Sequence, residues 1–453
     1  MDKTVELNIT DLAFDGRAVA KMNGKIVFLN AGLPGEIVRA RMVRSKKNFN
    51  EAVVLDILTK SEERIEPICS HFAYCGGCSW QDLKYSKQLE IKKNHVSSCI
   101  ERIGGLENVT ISDVMPSDNI FGYRNKMEFS FNVHPELGFT LGLHKRKSYA
   151  DIFDLTECHL PADIFARIVG WFREYVRRNQ IAVYDVDRHG GFMRFLVIRK
   201  TQNTNDLMVN IVTNYGQLPD SEKLVSEMTT AFPEITTIVH NQNGQKSNIA
   251  VGEKEIVLFG SGFITEKVMQ KSFHIRANSF FQTNSLQAEK LYETAFEMLQ
   301  PEKTDRALDL YCGTGTISIC ASGMVSEVIG VEQVADSIAM ANENAVLNNC
   351  TNVSFVESDV KDYMLETNNK KFNIVITDPP RSGMHPKVLK RLIEMKPEKI
   401  LYISCNPSTF ARDAKELADS GYSLPQVKPV DMFPHTRHIE LAAVFLKNST
   451  NPD

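Results

Sequence analysis

The chain has 453 residues, 43% of them hydrophobic and 24% charged, and a formal net charge of -4. That length exceeds one ordinary compact domain and favours two or three units with separate cores, while the composition excludes wholesale disorder and a membrane protein, since no apolar run reaches the roughly 18 residues of a spanning helix. The start Met1-Asp2-Lys3-Thr4-Val5-Glu6 has neither the basic stretch nor the apolar block of an export signal, so a cytoplasmic protein is expected.

Residues 1–60 alternate in short segments punctuated by Asp15-Gly16, Asn23-Gly24 and Leu33-Pro34-Gly35, the spacing of a small β-barrel. Arg39, Arg41, Arg44, Lys46 and Lys47 form a run without an acid, ending beside Phe49. Such a run either protects a strand edge or tracks phosphates. The net acidic total does not decide between them, because nucleic acid responds to local clusters.

Residues 61–274 read as a separate α+β unit. Of nine cysteines, three cluster as Cys69-x5-Cys75-x2-Cys78, far too few for a disulfide scaffold but suited to holding a metal. Zinc is the natural partner of a four-cysteine set, and an iron–sulfur cluster also takes all-thiolate ligation; spacing alone leaves both open. A helix comes next, with Leu89, Val96, Ile100 and Ile103 on one face and Gly104-Gly105 as its stop. Cys99 lies inside that helix and reads as packing. Strand-like runs then dominate, as at 126–131 and 195–198, with a helical stretch near 162–178.

From 275 to the end, β-type runs at 306–311, 327–332, 352–357, 372–377 and 399–404 alternate with helix-like segments, which implies a doubly wound, largely parallel α/β sheet. Asp309-Leu310-Tyr311-Cys312-Gly313-Thr314-Gly315 closes the first run, and its glycines let backbone approach a ligand. No Gly-Lys-Ser/Thr comes after it, so a phosphate loop is disfavoured. Glu332, Asp359 and Asp378 end successive runs, where carboxylates meet ribose hydroxyls or an adenine amino group. One strand-end acid is usually a turn or cap residue; a ladder of them converges on one crevice and resembles class I S-adenosylmethionine-dependent methyltransferases. Arg381 stands after Asp378-Pro379-Pro380, where enzymes that methylate exocyclic amines usually have an aromatic residue, so amine methylation is the lesser reading. The polar tail at 448–453 closes the chain, and no internal repeat is present.

Cys405 ends the fifth run. A lone cysteine there is most often packing, yet a thiol facing a methyl donor solves one problem: carbon 5 of a pyrimidine becomes nucleophilic once a thiolate adds to carbon 6. The string Ser404-Cys405-Asn406-Pro407-Ser408-Thr409-Phe410-Ala411-Arg412-Asp413 resembles the nucleophile motif of the RNA uracil-5-methyltransferase family. Phe433-Pro434-His435-Thr436-Arg437-His438-Ile439-Glu440 resembles its second motif, and Ser279-Phe280-Phe281-Gln282-Thr283-Asn284 its entry motif. The barrel-like start and the cysteine pattern are similar to the ribosomal-RNA branch, whose members carry a TRAM domain and an iron–sulfur cluster.

The resemblance implies roles by position. Cys405 is the nucleophile and Glu440 the base that removes the carbon 5 proton; Phe280 stacks on the target base and Asp378 holds its edge near the cofactor. Gln282, Tyr311, Glu332, Asp359 and Asp378 bind S-adenosylmethionine, whereas Thr316 stands where some relatives have asparagine. Cys158 becomes the fourth ligand beside Cys69, Cys75 and Cys78, for a [4Fe–4S] cluster ahead of zinc. Without the motifs, Phe280 reads as core and Glu440 as a surface strand residue, and the rival function is a non-catalytic RNA-binding or ribosome-assembly protein. Arg381 and Arg412 are the candidates for lowering the thiol pKa. The expected organisation is a TRAM-like barrel at 1–60, the α+β unit with its cluster at 61–274 and a catalytic domain at 275–453. The expected partner is RNA, a single-stranded or loop uridine of large-subunit ribosomal RNA with transfer RNA as the alternative, and the chain is expected to act as a monomer without an obligate protein partner.

Overall fold

The computed structural model describes residues 4–148, 150–366 and 371–448; Met1–Lys3 at the start and the tail beyond Asn448 lie outside them. Among the described residues no helix is long and apolar enough to cross a membrane.

Five strands, Thr4–Leu12, Ala18–Met22, Lys25–Leu29, Ile37–Ser45 and Phe49–Thr59, form a closed barrel. Alternate residues point inward, so Leu7, Ile9, Val27, Leu29, Val38 and Ala40 build its core. Asn23 and Gly24 both take positive φ, 51° and 77°, as the tight Asn-Gly hairpin requires. Closure leaves no open edge for the basic run to protect: Arg39 and Arg41 simply face outward on Ile37–Ser45, with Arg44, Lys46 and Lys47 exposed beyond them. The barrel is tied to residues 61–91 by Glu36, fully buried, whose carboxylate accepts from Arg64 Nε at 2.7 Å and Nη2 at 3.1 Å. Trp80, Leu83 and Ile91 of the same stretch pack into the barrel core.

The helix Tyr85–Cys99 continues as a π-helical turn, Ile100–Gly104, and stops at Gly105 with φ 60°. Val96 and Ile100 are buried as expected, but Ile103 is 44% exposed, because the wider turn carries it off the apolar face. This helix packs against the helix Pro407–Asp419, and the two-residue strand Thr110–Ile111 joins the edge of the catalytic sheet beside Gln426–Val430.

The central unit is a seven-stranded sheet in the order 254–259, 237–242, 207–213, 193–200, 126–134, 138–144, 152–154. Its helix Ile164–Arg178 lays Phe165, Ile168, Val169, Phe172 and Val176 on the sheet, a stripe of helical period. The opposite face carries buried polar groups, Arg199, Asn210 and Asn241, toward the segment 277–283. The hairpin Phe263–Val268 and Lys271–Arg276 lends Ile264, Val268, Phe273 and Ile275 to the core of the catalytic unit.

The catalytic sheet runs 353–357, 327–332, 306–310, 374–377, 399–404, 440–447, 426–430, all parallel as far as Lys399–Ser404 and with Glu440–Lys447 antiparallel. The doubly wound α/β expectation is met, as a class I methyltransferase fold. Strand order reverses beside Arg306–Leu310, which opens a crevice at the carboxyl ends of the parallel strands.

Candidate active site

That crevice is a cleft of about 970 Å³, and the residues expected to serve cofactor, base and catalysis all line it: Phe280, Gln282, Tyr311, Glu332, Asp359, Asp378, Cys405 and Glu440. Thr316 lines it as well, as the first residue of the helix Thr316–Ser322.

The floor is shaped by backbone rules. Tyr311 and Gly313 leave the first strand with φ of 66° and 53°, and a Cβ at Gly313 meets nothing within 4 Å, so its backbone faces open space. At Gly315 a Cβ would stand 2.6 Å from the Phe355 ring, which only glycine avoids. Behind the loop Asp309 is buried; one oxygen accepts from the Ser318 hydroxyl at 2.6 Å, the other has no partner, and burial pushes its pKa up to about 7. Glu332 accepts from the N–H of Gln333 and Val334 at 2.8 and 3.0 Å. Asp359 accepts from Lys361 N at 2.8 Å, so it caps the helix Val360–Glu366 and walls the cleft at once.

Cys405 sits between the strand Lys399–Ser404 and the helix Pro407–Asp419, whose N-cap Asn406 accepts from Ser408 N at 3.1 Å. The same side-chain amide donates to the Arg381 carbonyl at 2.9 Å, which joins the Cys405 turn to the Asp378-Pro379-Pro380-Arg381 loop. Burial, then the charges of Glu440 and Asp378, push the thiol up to about 11; Arg381, by charge and hydrogen bond, acts the other way. The helix N-terminus directly after it also favours a thiolate. Burial pushes Asp378 up to about 7 and holds Glu440, 6% exposed, well above the carboxylate range, with Asp378 adding to the rise and Arg381 opposing it.

Of the two arginines, Arg381 is therefore the one coupled to the thiol. Arg412 is engaged elsewhere, with Asp413 at 2.7 Å and with the carbonyls of Ser382 and Met384 at 3.2 Å. Arg381 Nη2 lies 3.3 Å from His438 Nδ1. Because a guanidinium only donates, that nitrogen accepts, which fits a histidine pushed down to about 4 by burial and by Arg381.

Phe280 is 67% exposed while its neighbour Phe281 is buried, and this overturns the core reading. The surface reading of Glu440 fails equally. Tyr292, Phe433 and His438 join the site without having been expected from the sequence: Phe433 and His438 stand inside the second motif, whereas Tyr292 carries the helical spacing of a core residue and gave no signal.

Outside this cleft, Cys69, Cys75, Cys78 and Cys158 are free thiols. The thiols of Cys78 and Cys158 are pushed up to about 12 by burial and then by the charges of the other cysteines. Gly77 N points at Cys75 Sγ at 3.3 Å, and Arg146 Nη2 donates to the carbonyls of Phe72 and Cys78 at 3.1 and 2.9 Å, closing the loop. Among the described residues no three cysteine, histidine or acidic side chains form a group that could hold a metal ion. Cys99 is packing, as expected, with its sulfur 3.5 Å from the Ser408 hydroxyl.

The model of the tRNA (uracil-5-)-methyltransferase family matches residues 221–449, and that of the TRAM domain residues 2–55. The chain belongs to the tRNA (uracil-5-)-methyltransferase family. Two relatives, each named an uncharacterized RNA methyltransferase, are 36% identical to it. That of Caldanaerobacter subterraneus subsp. tengcongensis matches over 98% of this chain and 99% of its own, and that of Chlorobaculum tepidum over 97% and 96%. The crystal structure of Pyrococcus abyssi tRNA (uracil-54, C5)-methyltransferase in complex with S-adenosyl-L-homocysteine superposes with a TM-score of 0.78, 32% identity, 98% of this chain and all of that one. As a family member the chain is an S-adenosylmethionine-dependent RNA (uracil-5-)-methyltransferase with an amino-terminal TRAM barrel.

Two measurements probe this geometry. Peptide-resolved alkylation of Cys405 should accelerate with rising pH as thiolate forms, and in Arg381→Met the rise should move to higher pH by about one unit, a tenfold slower reaction at a given pH; an unmoved profile removes Arg381 as the counter-charge. Phe280→Ala should leave the melting temperature unchanged, since the ring is exposed, but weaken RNA binding about tenfold, within the roughly 1–3 kcal/mol of a base–aromatic stack. Equal RNA affinity in a titration of the two proteins would exclude the stack.

Proposed function

We propose that this chain methylates carbon 5 of a uridine in RNA by covalent catalysis from Cys405, with Glu440 as the base. The observation that carries this is the joint placement of thiol, buried carboxyl and guanidinium on the wall of the cleft that the acidic strand ends also line. The residues suit an adenosyl cofactor: an open glycine backbone, and carboxylates at the ends of neighbouring strands. Gln282, Tyr311, Glu332 and Asp359 would hold it, with Asp378 between it and the base. S-adenosylmethionine, when bound there, supplies an electrophilic methyl group.

The thiolate of Cys405 adds to carbon 6 of the flipped uracil, and the electron pair of the 5,6 double bond moves toward the carbonyl at carbon 4 as an enolate. Arg381 is the charge available to the thiolate before attack. Carbon 5 then takes the methyl, Glu440 takes the proton from carbon 5, and the carbon–sulfur bond breaks to return the thiolate. Phe280 at the mouth stacks on the base, which leaves its own stack to enter.

Large-subunit ribosomal RNA is the proposed substrate, on the resemblance of the barrel and the cysteine pattern to that branch, and the enzyme is proposed to act as a cytoplasmic monomer. Transfer RNA is the second reading, favoured by full-length similarity to the Pyrococcus abyssi enzyme. Cys69, Cys75, Cys78 and Cys158 would hold a [4Fe–4S] cluster in preference to zinc. The four thiols act on one another by charge, and a cluster takes all-thiolate ligation. Complete thiolate ligation leaves no open iron, which favours a structural or RNA-contacting role over a redox one.

Labelled cofactor and uridine-containing RNA, digested to nucleosides, should yield 5-methyluridine. Label in 6-methyladenosine, or none, sinks the assignment. Cys405→Ala should abolish the covalent complex with 5-fluorouridine RNA while cofactor binding persists. RNA from a strain lacking the gene locates the missing methyl and decides between ribosomal and transfer RNA. Anaerobically purified protein should carry about four irons and absorb broadly in the visible, and Cys158→Ser should lose both; stoichiometric zinc in place of iron would replace the cluster assignment.

A further inference from the structure

The loop 431–439 joins the antiparallel strands Gln426–Val430 and Glu440–Lys447, and Glu440 pairs directly with Val430. Fixing Asp431 therefore fixes the end of the strand whose last residue, Val430, pairs with Glu440. Asp431 is held from the distant helix Tyr85–Cys99: Lys92 Nζ stands 2.6 Å from Asp431 Oδ1, with both side chains wholly buried. The same ammonium donates to the Phe433 carbonyl at 3.1 Å, and Asp431 Oδ1 also accepts from Phe433 N at 3.1 Å.

One helical turn earlier, Gln88 accepts from His435 N at 2.9 Å while its amide donates to the carbonyls of Trp80 and Leu83 at 2.9 and 2.8 Å. Tyr123 donates to the Pro434 carbonyl at 3.0 Å. The loop has a hydrogen bond of its own from the Thr436 hydroxyl to the Phe433 carbonyl at 2.8 Å, but its apex is held from outside, where the Ser79 and Trp80 N–H groups donate to the His435 carbonyl at 2.8 and 3.0 Å. His435 takes a φ of 63°, a region a non-glycine residue keeps only when its surroundings impose it. Lys92, Gln88 and Tyr123 do not line the cleft, yet Phe433 and Glu440, at the two ends of what they hold, do.

A buried ion pair is a poor source of stability, because desolvating two charges costs as much as their attraction returns, and an apolar pair of equal volume is often as stable. Tyr85, at the start of the helix that carries Lys92, also meets Asp431 through its hydroxyl. What such a pair does supply is one fixed geometry. We propose that Lys92 and Asp431, with Gln88 and Tyr123, form a positioning clamp that sets where Glu440 and Phe433 stand against the target base. This rests on the reading of Glu440 as the base.

The test replaces both charges at once, Lys92→Met with Asp431→Leu, so that no unpaired charge is stranded in the core. The variant should melt near the native temperature and bind S-adenosylhomocysteine as tightly as the native protein. Its turnover should fall about a hundredfold, the scale of a catalytic group misplaced by about 1 Å, with the KM for RNA unchanged. The methylated RNA–protein adduct should accumulate on denaturing gels, because the carbon 5 proton is no longer removed; a purely structural pair would not shift that partition. Tyr123→Phe, which deletes one hydroxyl from the same clamp, should accumulate adduct in the same direction to a smaller extent and decides the matter if the double variant does not fold. Native turnover without accumulation in a folded double variant, or no change of partition in Tyr123→Phe where that variant decides, overturns the clamp. If the native enzyme itself forms neither 5-methyluridine nor adduct, the underlying reading fails instead.

Discussion

Two carboxyls and a thiol share one wall of the cleft, and charge on any of them raises the cost of charge on the others. Burial lifts Asp378 to about 7, the Cys405 thiol to about 11 and Glu440 well above its ordinary range. The cation that acts on both Cys405 and Glu440 is Arg381, and the Asn406 and Thr409 side chains hold its backbone through hydrogen bonds to its carbonyl. A positively charged ligand relieves the same crowding. A sulfonium methyl donor is such a cation, and it leaves as a neutral thioether once the methyl has gone. An acid-lined cleft thus favours the donor over its by-product by simple electrostatics.

The walls of the cleft come from parts of the chain far apart in sequence. The segment 279–283 is held from the central sheet: Asn125 donates to the Gln282 carbonyl at 2.9 Å and from its backbone to Thr283 O at 2.8 Å, and buried Arg199 donates to the Ser279 carbonyl. Phe280 therefore projects into solvent from an anchored backbone. An exposed ring on a rigid support costs little to order when a base arrives, because the entropy has already been given up in folding.

Much of this was legible in the sequence, and the failures have particular causes. The catalytic strands were clear because buried parallel strands read as unbroken β-type runs, and the site residues because they end those runs or lie in ordered motifs. Phe280 and Phe281 are neighbours with the same chemistry, and periodicity does not say which of the two faces solvent. Ile103 left its expected face because a π-helical turn has no compositional signature. Thr110–Ile111 is too short to announce an edge strand. Arg381 and Arg412 both stand in motifs; the hydrogen bond of Arg381 to the thiol and the pairing of Arg412 with Asp413 separate them. Lys92 gives no sequence signal, because its partner is 339 positions away, a relation no local pattern carries.

The high thiol pKa then has a consistent reading. A thiolate standing permanently in an open cleft is oxidised or alkylated before it meets its substrate. A thiol pushed up to about 11 favours its protonated form, which is the less reactive one. Burial does most to hold it up, Glu440 and Asp378 add to the rise, and Arg381 opposes them. Under the proposed reading, a cationic donor beside those carboxyls favours the thiolate, while a base that fills the cleft excludes water and works against it.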